Sequence, residues 1–404
     1  MSAPVNLYQA FGIRDHICDR TERLEGETVY HIRRNPDSLR CPQCQSAAIL
    51  KRGVVVRRMR HGATNGRPII FSQTIQRVYC CECDTIRQAD NPLAKPYVRH
   101  TNGFALYAIE LCRDMTMLAA ARHLGVDDEV IKEILKEHLR KRFRGIRLGK
   151  LRRIAIDEIY TGKRHKFITI VLDLDSGAVV YIGQGKGMES LGDFWKKLKR
   201  SGAEIEAVAS DMSPAYTLAI AEKLPNAAHV FDRFHVVKLM NDKLTDLRRC
   251  VYRSATAEEK DVIKGSRFLL VKNPENLRTD KDEAKHLEEA LRINKDLNTA
   301  YYLKEDLRML WGQGTKARAE KHLDAWIRKA KVSGIRQLMT MAKTLNTCRA
   351  GLLAWYDHPI SSGKLEGVNN KIGAIQRQAY GYRDQEFFHL KIYAAHLTSY
   401  KLVG

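Results

Sequence analysis

The chain has 404 residues, with 69 lysines and arginines against 47 aspartates and glutamates, for a formal net charge of +22 at pH 7. That length holds about two to four domains with separate cores. The charge draws the protein to a polyanion rather than leaving it a neutral bystander. No apolar run is long enough to span a bilayer and no charged-then-apolar leader opens the chain, so a membrane role is set aside and a cytosolic protein is expected. Nine cysteines in such a chain point to metal ligands and buried thiols, not to a disulfide framework.

Residues 1–95 are rich in turns and contain Cys41-Pro42-Gln43-Cys44 and Cys80-Cys81-Glu82-Cys83. Each C-x-x-C pair is spaced so that a tight knuckle turns two thiolates toward one tetrahedral ion, and a structural Zn2+ on Cys41, Cys44, Cys80 and Cys83 is expected. Cys81 competes with Cys80, which fits the spacing better. Between the knuckles, Lys51, Arg52, Arg57, Arg58 and Arg60 interleave with Val54, Val55 and Val56. This reads as a basic β-ribbon able to touch phosphates.

Over residues 96–139 the period becomes helical. Met117 to Val126, then Asp127 to Leu139, read as a helix-turn-helix with Gly125 at the turn and Asp127 as N-cap. The second helix carries Asp128, Glu129, Glu133 and Glu137, which suits packing or dimerisation better than reading a major groove. Residues 140–152 hold seven basic positions and no acid, among them Arg142, Arg144, Arg147 and Lys150. They are expected to form a linker lying along a phosphate backbone.

From residue 153 the chain reads as an α/β domain. Ile154-Ala155-Ile156-Asp157-Glu158-Ile159 is a buried-strand pattern with acids set into it, and an unpaired ionised carboxylate in such a core costs several kcal/mol. Something positive must therefore meet Asp157. Two further β runs, Lys166 to Leu174 and Ala178 to Gly183, are joined by Asp173 and Asp175 in turn chemistry. A helix from Ser190 to Arg200 follows, then the strand ending at Ser210-Asp211, a helix from Pro214 to Lys223, and a strand at Ala228 to Phe231. This order predicts an RNase H-like fold, with the first acid mid-strand and the second at the end of a parallel neighbour.

Asp232 and His235 then open a helix at the same sheet edge. Residues 240–358 read as helix after helix, an all-α insertion with Trp311, Trp326 and Trp355 as core residues. In residues 359–404, Glu366, Asn369, Asn370, Gly373 and Arg377 share one helix face opposite Leu365, Val368, Ile372 and Ile375. Carboxylates from Asp157, Asp211 and Glu366 would make an oxygen-rich site for Mg2+ or Mn2+, which is phosphodiester chemistry on nucleic acid. Lys371, Arg377 and Arg383, with Tyr380 and Tyr382, supply the cations and rings of a nucleic-acid surface. The expected architecture is thus multidomain α+β: a zinc-binding β-rich module, a helix-turn-helix, and an RNase H-like α/β domain (153–239 and 359–404) interrupted by helices.

Four ordered motifs, Ile156-Asp157-Glu158-Ile159, Ser210-Asp211-Met212-Ser213-Pro214, Phe231-Asp232-Arg233-Phe234-His235 and Leu365-Glu366-Gly367-Val368-Asn369-Asn370, resemble those of the DDE transposases of the ISL-three type of bacterial insertion sequence. The resemblance runs over nearly the whole chain and departs from the family at the doubled Cys80-Cys81. It implies a metal-binding triad of Asp157, Asp211 and Glu366, with Asp232 and His235 matching a C/D-x-x-H motif of related groups. It also implies Mg2+-dependent cleavage and strand transfer on double-stranded DNA, at terminal inverted repeats and target, by a homodimer in a paired complex. A sequence-specific DNA-binding regulator with an inactive domain, and a structure-specific nuclease, are the alternatives.

Overall fold

The computed structural model describes residues 5–162, 166–360, 363–379 and 382–396. Tyr380, expected on the nucleic-acid surface, lies outside them. The chain divides into two units at Arg144/Gly145. Among the described residues no helix is long and apolar enough to cross a membrane.

The first unit opens with a short helix, α1 (Leu7–Phe11), and a sheet of β1 (His16–Leu24), β2 (Glu27–Arg34), β3 (Ile49–Thr64), β4 (Arg67–Cys80) and β5 (Thr85–Gln88). The strand order is β1-β2-β4-β3, with β5 on β4; β2 runs parallel to β4 and the other pairs are antiparallel. The long β3–β4 hairpin turns at Asn65 and Gly66, with φ of +50° and +74°, the left-handed pair a two-residue turn demands. Leu7, Ile32, Met59, Ile69 and Phe71 fill its core. The other half of β3 runs clear of that core, leaving Val54, Val55 and Val56 exposed.

Three helices follow, α2 (Asn102–Asp114), α3 (Met117–Leu124) and α4 (Asp128–Arg142). Gly125 ends α3 at φ +62°, its N–H meeting the Ala121 and Arg122 carbonyls, a left-handed cap that glycine adopts without strain. Asp127 holds the N-cap position of α4 but makes no side-chain capping bond. The basic run is not one linker: Arg140, Lys141 and Arg142 form the last turn of α4. Beyond the unit boundary, Leu148 and Leu151 are buried in the core of the second unit.

The second unit is built on β6 (Arg153–Gly162), β7 (Lys166–Asp173), β8 (Val179–Gln184), β9 (Ala207–Ser210) and β10 (Ala228–Phe231), in the order β10-β9-β6-β7-β8. The first three form an antiparallel meander, and β9 and β10 run parallel to β6. Helices α5 (Gly192–Ser201) and α6 (Pro214–Lys223) cover one face, where Phe194, Leu198, Tyr216 and Ile220 meet Ile154, Ile156 and Val171. After β10, α7 (Arg233–Ser254) runs unbroken through residue 240, where the helical insertion was expected to begin.

The buried stripe of α7, Val236, Met240, Leu244 and Leu247, joins the core of a helical block that contains Trp311 and Trp326, with Trp355 packed at its edge. That block comprises α8 (Ala257–Gly265), α9 (Glu283–Ile293), α10 (Lys295–Arg308), α11 (Lys316–Val332), α12 (Arg336–Thr347) and α13 (Arg349–Leu353). Finally α14 (Gly363–Gln378) and α15 (Gln385–Ala394) cover the second sheet face, laying Leu365, Val368, Ile372 and Ile375 on Ala155, Ile168, Ile170 and Leu172.

Gly183 on β8 tests this packing. A Cβ there would stand 2.1 Å from the Ser190 carbonyl oxygen, a backbone atom that cannot swing aside, and overpacking of this kind costs about 1–3 kcal/mol. Gly183→Ala is expected to lower the midpoint of thermal unfolding by circular dichroism. Gly265→Ala, whose Cβ meets nothing within 4 Å at the end of α8, is expected to hold or raise it.

Candidate active site and metal centre

The two cysteine knuckles have the same backbone. Gln45 N–H bonds the Cys41 carbonyl and Asp84 N–H bonds the Cys80 carbonyl, both at 3.0 Å, with Gln45 and Asp84 at φ of +59° and +50°. Gln43 N–H points at the Cys41 sulfur and Cys83 N–H at the Cys80 sulfur, each at 3.4 Å. Superposed in this way, Cys80 takes the place of Cys41, and Cys81 takes that of Pro42 on the exposed outer side of the turn. The sulfurs of Cys41, Cys44, Cys80 and Cys83 all lie within 4.8 Å of one another, with Cys44 and Cys80 3.5 Å apart and Cys41 and Cys83 4.0 Å apart. A tetrahedral thiolate centre with Zn–S of about 2.3 Å needs S···S near 3.8 Å, so the four residues fit such an ion. The N–H groups of Cys44 and Gln43 pull the Cys41 thiol down to about 7, toward the thiolate a metal binds, while the neighbouring Cys44 thiol pushes Cys83 up to about 12.

The second site lies at the middle of β6 and the ends of β9 and β10. Strand alternation puts Ile154 and Ile156 on the α5/α6 face and Ala155 and Asp157 on the α14 face. Asp157 and Asp211 each stand two residues beyond Ala155 and Ala209, the last paired positions of β6 and β9, so the register of parallel neighbours brings them to the same level. The Asp157 side chain is 10% exposed. Its Oδ1 accepts from Glu158 N–H at 2.8 Å and its Oδ2 from Asn369 Nδ2 at 2.7 Å. His235 Nε2 stands 3.7 Å from Asp157 Oδ1 and 3.9 Å from Asp232 Oδ2. The positive partner expected for Asp157 is thus two neutral donors and an imidazole.

Asp232 N-caps α7 by accepting from Phe234 N–H at 2.9 Å, which fixes His235 on the first turn. Burial pushes the Asp232 carboxyl up, and the charges of Asp157 and Glu366 push further in the same direction, against the Phe234 N–H and His235. Asp211 accepts from Ser213 N–H at 3.0 Å, while Ser213 itself makes no side-chain cap. Behind Asp211, Ser210 Oγ donates to its carbonyl at 2.8 Å and meets His229 Nε2 at 2.8 Å. Burial pulls His229 down to about 4, so a neutral imidazole with Nε2 as donor completes that chain of bonds. Glu366 is exposed on the first turn of α14 and lines a cleft of about 520 Å³ with Arg233, Phe234, Glu305 and Arg308.

Among the described residues the thiol cluster is the one group of three or more ligand-type side chains close enough for a single ion; the acids are spread more widely. No lysine or arginine pairs with Asp157, Asp211, Asp232 or Glu366 among those residues, and His235 is the sole ion-pairing neighbour. Glu158, adjacent in sequence, faces the other way and is hydrogen-bonded locally, accepting from Tyr216 Oη at 2.7 Å and Gly187 N–H at 3.0 Å.

The expected phosphate contacts divide. Arg57 donates to the Lys95 and Val98 carbonyls and is committed within the fold, so the ribbon reading of this residue is corrected, while Arg58 is exposed and pairs with Glu27 at the surface. Arg142, Arg144, Arg147, Lys150, Arg377 and Arg383 are exposed, and Lys371 reaches the Ala395 carbonyl at 3.4 Å. Tyr382 stacks on Phe388 with ring centroids 4.8 Å apart and serves packing. Sequence reasoning gave no role to Asn369, Ser210 or His229. For Asn369 a signal was present, since it lies on the face of Glu366, one turn further on.

Comparison with known proteins gives the family of the chain. A family model described as a transposase matches residues 154–392, and that of the helix-turn-helix domain of transposase family ISL3 matches residues 89–139. The chain is therefore of the transposase class. It belongs to the ISL3 family of transposases. It is 33% identical over 359 residues to the transposase for insertion sequence element IS1001 of Bordetella parapertussis, covering 88% of each chain. It is also 31% identical over 265 residues, 59% of each chain, to the transposase for insertion sequence element IS1557 of Mycobacterium tuberculosis. Among solved structures, a Drosophila P element transposase strand transfer complex aligns with a TM-score of 0.40 at 10% identity, over 74% of this chain and 92% of that one.

Elemental analysis of the purified chain should find one tightly held zinc. Cys41→Ser and Cys80→Ser should each lose it, and Cys81→Ser should keep it; retention by Cys80→Ser would refute the assignment. The second expectation concerns Asp232. A carboxyl raised in the folded state binds its proton more tightly than in the unfolded chain, so the folded state is favoured below the unfolded pKa and loses that advantage as pH rises through the folded value. Asp232→Asn, which can still cap α7, should therefore raise the unfolding midpoint at pH 7 and do so progressively less as pH falls toward 4. An unchanged midpoint at pH 7 would show that the carboxyl is not held against its own charge.

Proposed function

We propose that this transposase binds the ends of its insertion sequence and carries out cleavage and strand transfer at the carboxylates of an RNase H-like domain, the second unit. The observation that carries the reading is the nearness of Asp157, Asp232 and Glu366, with Asp211 brought level with Asp157 by the β6–β9 register, and none of the four ion-paired with a lysine or arginine among the described residues. Side chains that only had to fold would be paired or neutral there.

Hard oxygen donors of this kind suit Mg2+ or Mn2+, and Asp157, Asp211 and Glu366 are the residues that would hold it. Bound there, divalent ions supply the Lewis acidity that activates an attacking oxygen and neutralises a leaving one. The chain's own groups do the remainder. Glu158 N–H and Asn369 fix Asp157, Ser210 and His229 brace the backbone of Asp211, and Asp232 holds His235 where its imidazole can meet a phosphate oxygen. The first unit, with its thiol centre and helix-turn-helix, recognises double-stranded DNA at the terminal repeats, while the exposed Arg144, Arg147 and Lys150 follow the phosphates. A homodimer pairs two ends before attack on target DNA.

The test is incubation with element-end DNA, with and without Mg2+, and separation of nicked from joined products on a gel. Asp157→Asn, Asp211→Asn and Glu366→Gln should each lower cleavage about a hundredfold or more and leave end binding within about twofold, as expected for groups that hold cations and not DNA. A triple variant that cuts as fast as the wild type would end the proposal. End binding without any Mg2+-dependent nicking would favour a regulator, and nicking without joining a nuclease.

A further inference from the structure

We infer that Asn369 is a positioning residue for Asp157, an inference that rests on the carboxylate reading above. Asn369 follows Glu366 by one turn of α14, and its Nδ2 donates to Asp157 Oδ2 at 2.7 Å. The Glu158 N–H donates to the other oxygen at 2.8 Å. Each Asp157 oxygen thus receives one neutral donor, which fixes the plane of the carboxylate and leaves its remaining lone pairs for a cation. Neighbours of this kind tune a metal site nearly as strongly as the ligands themselves.

The amide is held in place at a cost. Its Oδ1 is buried and has no hydrogen-bond partner, a loss of about 1–3 kcal/mol. Reversing the amide would set that oxygen against the Asp157 carboxylate, so the orientation follows from Asp157 itself. An apolar side chain would remove that penalty but leave Asp157 Oδ2 without its donor, so packing alone supplies no reason for asparagine at this position. What the asparagine provides is a donor to Asp157. One helix then delivers a ligand, Glu366, and the orienting group of another ligand that lies more than two hundred residues earlier in the chain.

The experiment is titration of the full, zinc-loaded chain with Mn2+ followed by electron paramagnetic resonance, together with end binding, thermal unfolding and the pH dependence of Mg2+-dependent cleavage. Asn369→Ala is expected to weaken Mn2+ binding about tenfold or more, with end affinity unchanged and an unfolding midpoint close to that of the wild type, because the penalty relieved at Oδ1 and the hydrogen bond lost at Asp157 are of similar size. Asn369→Asp sets a like charge against Asp157 and raises its proton affinity, so the acidic limb of the cleavage profile should move up by about one pH unit. If Asn369→Ala binds Mn2+ as the wild type does while Asp157→Asn does not, the inference falls and the carboxylate reading stands. If Asp157→Asn also binds normally, both fall. Loss of stability with no change in Mn2+ affinity or in the acidic limb would mark a packing role and overturn the inference.

Discussion

The second unit is governed by negative charge that the fold gathers and does not neutralise. An ionised carboxylate removed from water costs several kcal/mol unless paired, and the side chains of Asp157 and Asp232 are 10% and 6% exposed. Backbone N–H groups, one amide and one imidazole return part of that cost, at about 1.5–3 kcal/mol for each hydrogen bond to a charged group. The same unit shows what a settled buried charge looks like. Lys304, 1% exposed, donates to the Leu270 and Lys272 carbonyls and to Glu305, so its ammonium is saturated. Asp157 and Asp232 are left short by comparison, as the proposed catalytic role would require.

The first unit solves the opposite problem. Its sheet is small, half of β3 stands outside its core, and the thiols do part of the work that apolar burial does elsewhere. Two knuckles with the same turn and the same left-handed residue after the second cysteine, each with a backbone N–H on its first sulfur, face their thiols toward a common centre. One comes from the loop before β3 and the other from the turn after β4. Closing that centre ties together the ends of the long hairpin, where hydrophobic contacts are few.

What could be read from the sequence was what depends on short range. The α6 and β10 boundaries, the glycine between α3 and α4, the acid inside β6 and the polar face of α14 follow from period, caps and turns within about ten residues. What could not be read depends on distant partners. Arg57 looks like a phosphate ligand until the Lys95 and Val98 carbonyls are seen to occupy it, 38 and 41 residues away in the chain. The basic run after α4 looks like a tether because charge dominates its composition, yet Leu148 and Leu151 are buried. A boundary at residue 240 fails because α7 has one continuous buried stripe serving the helical block, with no breaker to end the helix.

The two acids of β6 show how little separates a structural carboxylate from a reactive one. They are adjacent, so the pleat sends them to opposite faces, and a slip of one residue in register would exchange their surroundings. On the α6 face Glu158 finds a phenol and a backbone N–H and becomes part of the packing. On the α14 face Asp157 meets other acids, an imidazole and an asparagine that orients without neutralising. The difference was in the sequence only as parity: Asp157 shares its face with Ala155, whose small side chain lets α14 approach closely. Glu158 shares its face with Ile154 and Ile156, beneath α5 and α6. On the proposed reading, reactivity at this sheet is a property of which helix covers a face, and α14, last but one in the described chain, decides it by bringing Glu366 and Asn369 to a strand completed far upstream.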